Sequence, residues 1–583
     1  MTAGVLRVAN CSGFYGDRLS AAREMVSGGP LDVLTGDWLA ELTMGLLLKQ
    51  RSRDPDAGFA TTFVTQLRDV LGDCLDRGVK IVSNAGGLNP DGCARAVAEV
   101  AAGLGREVRV AVVTGDDAGE RFAAARAAGW TGPHLHTGAP LTGEPEIAHA
   151  YLGCWGIAEA LAAGADVVVT GRVSDASLVA GPAAWRFGWG RDAWDALAGA
   201  VAAGHVIECG AQATGGNFSF AAEFANMARL GFPLAEIAAD GSAVITKHPG
   251  TGSAVTVETV TAQLLYEIDG PRYRNPEVVA RFDTLRLAQE GPDRVGISGT
   301  RGEPAPDTVK VGAVATAGWR NRTTFVLTGL DVEAKAALAQ EQLWAAVPGG
   351  RAAFDDVRVR LLRADRPDPA AMDEAVALLT VEVADADRRR VAGLSRAAVE
   401  TALAGYPGFF LTEPPGAGSA FTVFWPTLMP AAAFPQQVRL GERTWTVAPV
   451  APVPLAAPLP EPAGPPAATP SAGPTRRVPL GTVAGARSGD KAGDATLGLW
   501  ARDDAGYAWL AGWLTEARLR ALLPPGAGEL QPWWLPNLRA AGATVVGLLG
   551  AGVAANLDLD AQAKALGEFV RARHVDVPAA LLR

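Results

Sequence analysis

KIVSNAGG (Lys80–Gly87) and DVVVTGRVSD (Asp166–Asp175) decide the fold of this chain. Each is a short, β-branched run that does not alternate with polar residues, as a strand buried on both faces reads. Each ends in a small polar residue with glycine close behind, then runs into a stretch of helical character. VLRVANCSG (Val5–Gly13), LDVLTGD (Leu31–Asp37) and VRVAVVTGDD (Val108–Asp117) repeat the form. Strand, polar glycine turn and helix in repetition predict an α/β fold, mainly a parallel sheet with flanking helices. Ligands of such sheets sit outside the carboxyl ends of the strands. The five polar ends are therefore expected to converge.

The 583 residues suffice for several domains and a large core. A net charge of −10 argues against a general nucleic-acid binder, which needs clustered Lys and Arg. Cys11, Cys74, Cys93, Cys154 and Cys209 form no C-x-x-C pair and read as reduced thiols. Arg7 and Asn10 interrupt the first apolar run, unlike a signal peptide. No run reaches the roughly 18–20 apolar residues of a membrane span. A cytoplasmic protein with neither nucleic acid nor membrane as partner is expected, as a homo-oligomer.

Ten prolines between Pro449 and Pro474 mark a linker, taken as 449–477. Its composition favours extended polyproline II. It separates an α/β domain, 1–448, from a module, 478–583. Within the first part, an α+β subdomain is expected from about residue 305. It would have strands at Val357–Leu362 and Ala377–Val383, with helices at Asp368–Glu374 and Ser395–Ala404. The C-terminal module reads as a ferredoxin-like α+β sandwich. Its strands are expected near Val478–Val483, Ala495–Trp500, Ala508–Leu514 and Ala543–Leu549, and its helices at Glu516–Leu522 and Asp560–Arg573. LLGAGVAAN (Leu548–Asn556) lacks the βαβ context of a dinucleotide fingerprint and reads as a tight turn.

Five segments can carry chemistry. In SNAGGLNPDGC (Ser83–Cys93), Asn89 caps a helix and Pro90 suits its first turn. Asn84, Gly86, Gly87, Asn89 and Asp91 are candidates for contact with an anionic ligand, or parts of a well-made βα turn. In TGRVSDAS (Thr170–Ser177), Thr170 and Arg172 can bind a carboxylate or phosphate, with Asp175 as a catalytic group, a cap of the next helix or a holder of the arginine, or the Arg–Asp pair is structural. VIECGAQATGGNFS (Val206–Ser219) offers Gln212, Thr214 and Asn217 to a substrate carbonyl. There Cys209 is a nucleophile or inert packing. In VITKHPGTGS (Val244–Ser253), Lys247 or His248 is a general acid or base, or lies in a surface turn. ARSGDKAGDA (Ala486–Ala495) places Arg487, Ser488, Asp490 and Lys491 in a loop able to hold an anion, or in a polar hairpin loop. His134 and His136 lack a third ligand at zinc spacing, so no metal site is assigned. Asp17, Asp37, Glu41 and Asp91 leave a Mg²⁺ site open. No cofactor motif is present.

At these segments the chain resembles the acyclic terpene utilisation family, AtuA. The matching stretches are SNAGGLNPDGCA, VVVTGRVSDASL, GAQATGGNFSF and GFPLAEIAADGSAVITKHPGTGSAVTVETVTAQLLYEI. In the C-terminal module they are ARSGDKAGDATLGLW and LDLDAQAKALGEFV, which resemble the small ferredoxin-fold domain often fused to this family. Ala492 replaces a glycine of the family pattern and Thr496 stands where asparagine is usual, which puts a direct contact by residue 496 in doubt. The resemblance implies a place in acyl-CoA or branched-acid metabolism, with CoA as a substrate carrier.

The expectation is a lyase or hydratase acting on a CoA thioester or free carboxylic acid. Arg172 binds the anion, the 209–217 loop polarises a carbonyl, and Lys247 or His248 carries the proton. The 487–491 loop closes the site or holds the CoA phosphates. A metal- and phosphate-dependent transferase or ligase is one alternative, and a non-catalytic partner of a pathway enzyme is another. A single site requires Arg172, Gln212, Asn217 and Lys247 to share one cavity.

Overall fold

The computed structural model describes residues 4–451, 459–464 and 473–582. Linker residues 452–458 and 465–472 lie outside the described residues. The chain divides into two compact units. One comprises Met1–Val314, Phe424–Gly550 and Gln562–Arg583, the other Ala315–Val423 and Ala551–Ala561.

The first unit is built on the five expected strands: β1 (Leu6–Asn10), β2 (Val33–Gly36), β3 (Lys80–Ser83), β4 (Val110–Thr114) and β5 (Val167–Thr170). They pair in parallel in the order β1-β2-β3-β5-β4. Antiparallel strands extend both edges, β6 (Pro233–Ile237) and β7 (Ala243–Lys247) beyond β1, and Gln436–Leu440 beyond β4. The lack of apolar–polar alternation has its cause in two buried faces. Val8, Val33, Val82 and Val168 face a core shared with helices α3 (Trp155–Ala162), α4 (Ser177–Phe187) and α5 (Trp194–Ile207). Ala9, Leu34, Ile81, Val167 and Val169 face the opposite core, with α1 (Thr61–Arg77) and α2 (Pro90–Gly103).

β3 and β5 are neighbours whose following helices leave to opposite faces, α2 to one and α4 to the other. That is a topological switch point, where open α/β sheets leave a crevice. The polar turns after β3 and β5 flank it.

The C-terminal module contributes a four-stranded antiparallel sheet in the order Ala484–Lys491, Asp494–Ala501, Ala540–Val545, Leu530–Leu535. The expected strand Val478–Val483 is instead the end of Thr475–Pro479, which pairs with His574–Pro578, followed by a 3-10 turn, Leu480–Thr482. The Ala486–Ala495 loop is itself a hairpin, because Arg487–Lys491 continue the strand pairing up to Lys491 opposite Asp494. Ala508–Leu514 is not a strand: it falls in the helix Asp504–Trp513, capped by Asp503, whose carboxylate accepts the Gly506 N–H at 2.7 Å. The last helix covers Leu566–Ala572, shorter than Asp560–Arg573. Leu548–Asn556 forms turns.

The second unit has its own core around Phe325, Leu379, Val381 and Leu394. Asp356–Arg363 and Val376–Asp385 pair antiparallel. Instead of a helix at Asp368–Glu374 there is a short 3-10 turn, Met372–Ala375. The expected Ser395–Ala404 helix runs from Arg388 to Glu400, because Asp387 caps it earlier through the Arg389 N–H.

Candidate active site

The ends of the parallel strands are tied to one another by side chains. Asp37, just past β2, accepts the Leu39 N–H at 3.0 Å and the Asn84 amide at 2.5 Å. Asn84, past β3, accepts the Trp38 N–H at 2.9 Å. The Asn10 amide, ending β1, donates to the carbonyls of Ser12 and Glu208 and draws the 208–217 segment onto the sheet. Gly13 permits this approach, since a Cβ there would stand 2.7 Å from the Cys209 carbonyl carbon. Asp116, past β4, accepts the Arg172 N–H at 2.8 Å and lies 2.9 Å from His149 Nδ1.

Arg172 is the centre of the assembly. Its guanidinium is buried over the Tyr151 ring at 4.2 Å and donates to the Leu39 carbonyl at 3.0 Å. Asp175 Oδ1 lies 2.9 Å from the same nitrogen, Nη1, yet outside hydrogen-bonding alignment. Arg172 Nε, Asp175 Oδ1 and Glu208 Oε2 are buried polar atoms without a hydrogen-bond partner among the described residues. Native interiors rarely leave such atoms unsatisfied, and Glu208 interacts electrostatically with both Asp175 and Arg172. Behind Tyr151, Lys310 donates to Glu41 at 3.1 Å.

Electrostatics follow from burial. Burial, then the charge of Asp175, holds Asp37 well above the usual carboxylate range. Burial also raises Asp175 against the pull of Arg172. Glu208 is raised by burial and by Asp175 and Glu267. Glu41 goes the other way: Lys310 and Arg172 overcome its burial and bring it down to about 2. His205, whose Nδ1 lies 3.1 Å from Glu208 Oε1, is pushed down to about 4 by burial and Lys491, so it is neutral near pH 7. The cluster thus sets carboxyl groups whose pKa values burial raises beside the buried guanidinium of Arg172.

The C-terminal module packs against this assembly. Arg487 donates to the Asn217 carbonyl at 2.9 Å and to the Gln212 side chain, and covers the Tyr266 ring at 4.5 Å. Lys491 donates to the Glu267 carbonyl at 3.1 Å. Lys564 lies 2.9 Å from both Glu267 and Asp490 and donates to the Tyr266 hydroxyl. Asp490 rises to about 6 through burial and Glu267. The α/β domain also holds the start of the linker: Arg191 donates to the carbonyls of Ala448 and Pro449, and Arg272 pairs with Glu461.

Other expected site residues take different roles. Lys247 donates to the Thr251 carbonyl at 2.9 Å and pairs with Asp293 at 3.1 Å. His248 Nε2 lies 2.9 Å from the Met25 carbonyl, with its ring against Gly28 and Gly29. Neither touches Arg172, Asp175 or Glu208, so a single site at Arg172 needs another proton carrier. Burial and the nearby carboxylates push the Cys209 thiol well up, against thiolate formation. Ser488 donates to the Ala563 carbonyl and accepts from Gly567, inside the module. Thr214 donates to the carbonyls of Ala211 and Gly231, and Thr170 to Gly171. Asn89 is the expected cap, accepting the Gly92 N–H at 2.8 Å. Gly86 packs on the Thr170 carbonyl, where a Cβ would come within 2.5 Å, and Gly87 needs its φ of +51°. The Asn217 side chain is exposed. Asp91 is exposed and pairs with Arg439. Asp17 caps its own turn, accepting the Gly13 and Arg18 N–H groups. Among the described residues, no three His, Cys, Asp or Glu side chains are grouped to hold a metal ion.

Glu208, Glu267, Tyr151 and Lys310 are the members that sequence reading passes over. Glu208 alone left a signal, a carboxylate at the end of the apolar run Ala200–Ile207.

Fold and site together define a doubly wound α/β protein with a ferredoxin-like module packed beside its switch-point cluster. Residues 6–440 match the acyclic terpene utilisation family protein AtuA, and 478–576 match the AtuA ferredoxin-like domain. The chain belongs to this family. No curated protein and no solved structure matches it. No helix among the described residues is long and apolar enough to cross a membrane.

Proposed function

We propose that the chain is a lyase or hydratase that moves a proton on a branched carboxylic acid, free or as its CoA thioester. The observation that supports this is that Arg172 Nε and Glu208 Oε2 are buried without a hydrogen-bond partner, with Asp175 paired to Arg172 and acting on Glu208. Arg172 Nε takes the substrate's carboxylate or carbonyl oxygen and stabilises the negative charge that develops on it. In hydration, Asp175 in its carboxylate form removes a proton from water as the water oxygen bonds to the β-carbon. Glu208, whose pKa burial and nearby carboxylates raise, gives a proton to the α-carbon. Elimination is the reverse.

The free acid is the better fit. The cations expected to hold CoA phosphates, Arg487 and Lys491, donate instead to Gln212 and to backbone carbonyls. The test is incubation of the purified chain in deuterated water with a branched short-chain 2-enoic acid, and separately with its CoA thioester. Mass spectrometry reads deuterium gained at carbon. Gain that falls at least a hundredfold in Glu208→Gln supports the reading. Gain with the thioester alone moves the substrate class to CoA esters. No gain with either, or gain indifferent to Glu208→Gln, overturns it.

A further inference from the structure

We propose that Arg487 and Lys491 are positioning residues: the C-terminal module acts as a template that holds two strained turns of the α/β domain in the shape the site requires. This rests on reading the Arg172 cluster as the site. The two cations reach different elements, yet each donates to the carbonyl of a non-glycine residue in the left-handed region. Arg487 grips Asn217, at φ +54°, and Lys491 grips Glu267, at φ +57°. Asparagine tolerates that region, but glutamate rarely enters it, and such residues persist only where their surroundings over-determine them.

The surroundings here come from the module. Lys564 holds the Glu267 carboxylate from a second direction and ties it to Asp490 on the hairpin. Gly489 and Gly498 permit close approach: a Cβ at either would stand 2.8 Å from Tyr266 and Glu267 atoms or from Leu265 Cβ. The Ser219 hydroxyl accepts the Ala486 N–H and donates to the Ala486 carbonyl, at 3.0 Å each, which fixes the register beside the first turn. Both turns feed the cluster. The first follows directly from Glu208 and Cys209, and the second presents Glu267, whose charge raises Glu208.

The experiment is hydrogen exchange read by mass spectrometry on the full-length chain without substrate, so its result stands apart from that of the deuterium-gain test. Arg487→Ala/Lys491→Ala is compared with Arg502→Ala, which removes module contacts to Phe220, Glu223 and Glu258 but no hydrogen bond to Asn217 or Glu267. The double variant is expected to raise exchange at least tenfold in peptides covering 209–219 and 264–270, with β1–β5 unchanged. Arg502→Ala should leave both peptides as they are, and Lys491→Arg should keep 264–270 protected. Should the double variant not fold, Lys491→Met alone should loosen 264–270. Unchanged exchange in Arg487→Ala/Lys491→Ala or in Lys491→Met, or equal loosening by Arg502→Ala, overturns the proposal.

Discussion

Glu277 offers a pH test of the frame that carries Arg172. It is fully buried and accepts the Ser177 hydroxyl at 2.9 Å, at the start of the helix that follows the Arg172–Asp175 turn. Burial raises it from 4.5 to about 7, against the opposing pull of Ser177 and nearby backbone donors. Its folded value lies above its unfolded one. Between pH 4.5 and 7 the folded chain therefore holds a proton that the unfolded chain has released, and stability falls as pH rises through that window. At about 1.4 kcal/mol per pH unit, the loss totals about 3 kcal/mol and is complete above pH 7. Glu277→Gln is neutral at every pH and keeps an acceptor for Ser177. Urea unfolding at pH 5 and pH 8 should show the variant gaining on the natural chain by about 3 kcal/mol between the two. An identical difference at both pH values, or a variant weaker at pH 8 than at pH 5 relative to the natural chain, refutes the reasoning.

Three other outcomes follow from the same contacts. Gly13→Ala drives a methyl into the Cys209 backbone and should lower stability by about 1–3 kcal/mol in thermal unfolding; a variant as stable as the natural chain contradicts the close approach. Asn84→Ala leaves the Trp38 N–H without a buried partner and Asp37 Oδ1 with the Leu39 N–H alone, a cost of about 1–3 kcal/mol in the same assay. Cys209 should react with iodoacetamide at pH 8 more slowly than a free thiol, because burial and Glu208 raise it; faster alkylation at pH 7 would restore it as a nucleophile.

The parallel sheet is readable in the sequence because each central strand is buried on both faces and each polar end sits against a helix start, which local residues record directly. Arg172, Asp175 and Asn84 are readable for the same reason, since a polar residue at a strand's carboxyl end has one place to go. Lys310 and Glu267 are not. Each reaches the cluster through tertiary packing, from a strand and from a turn that resemble any other. Lys247 misleads because it sits at a strand end beside a Pro-Gly turn, yet its strand lies beyond β6 and β1, and Asp293 takes the charge. Ala508–Leu514 misleads because its apolar residues fit either period, while the deciding cap, Asp503, lies outside the run.

The central claim is that Arg172 anchors an acidic substrate inside the buried cluster. A crystal structure of the chain soaked with a branched short-chain carboxylic acid tests it most directly. The account predicts the carboxylate within hydrogen-bonding distance of Arg172 Nε, between Asp175 and Glu208. A carboxylate bound at Lys247, or a cluster that stays closed while the acid occupies another site, would contradict it.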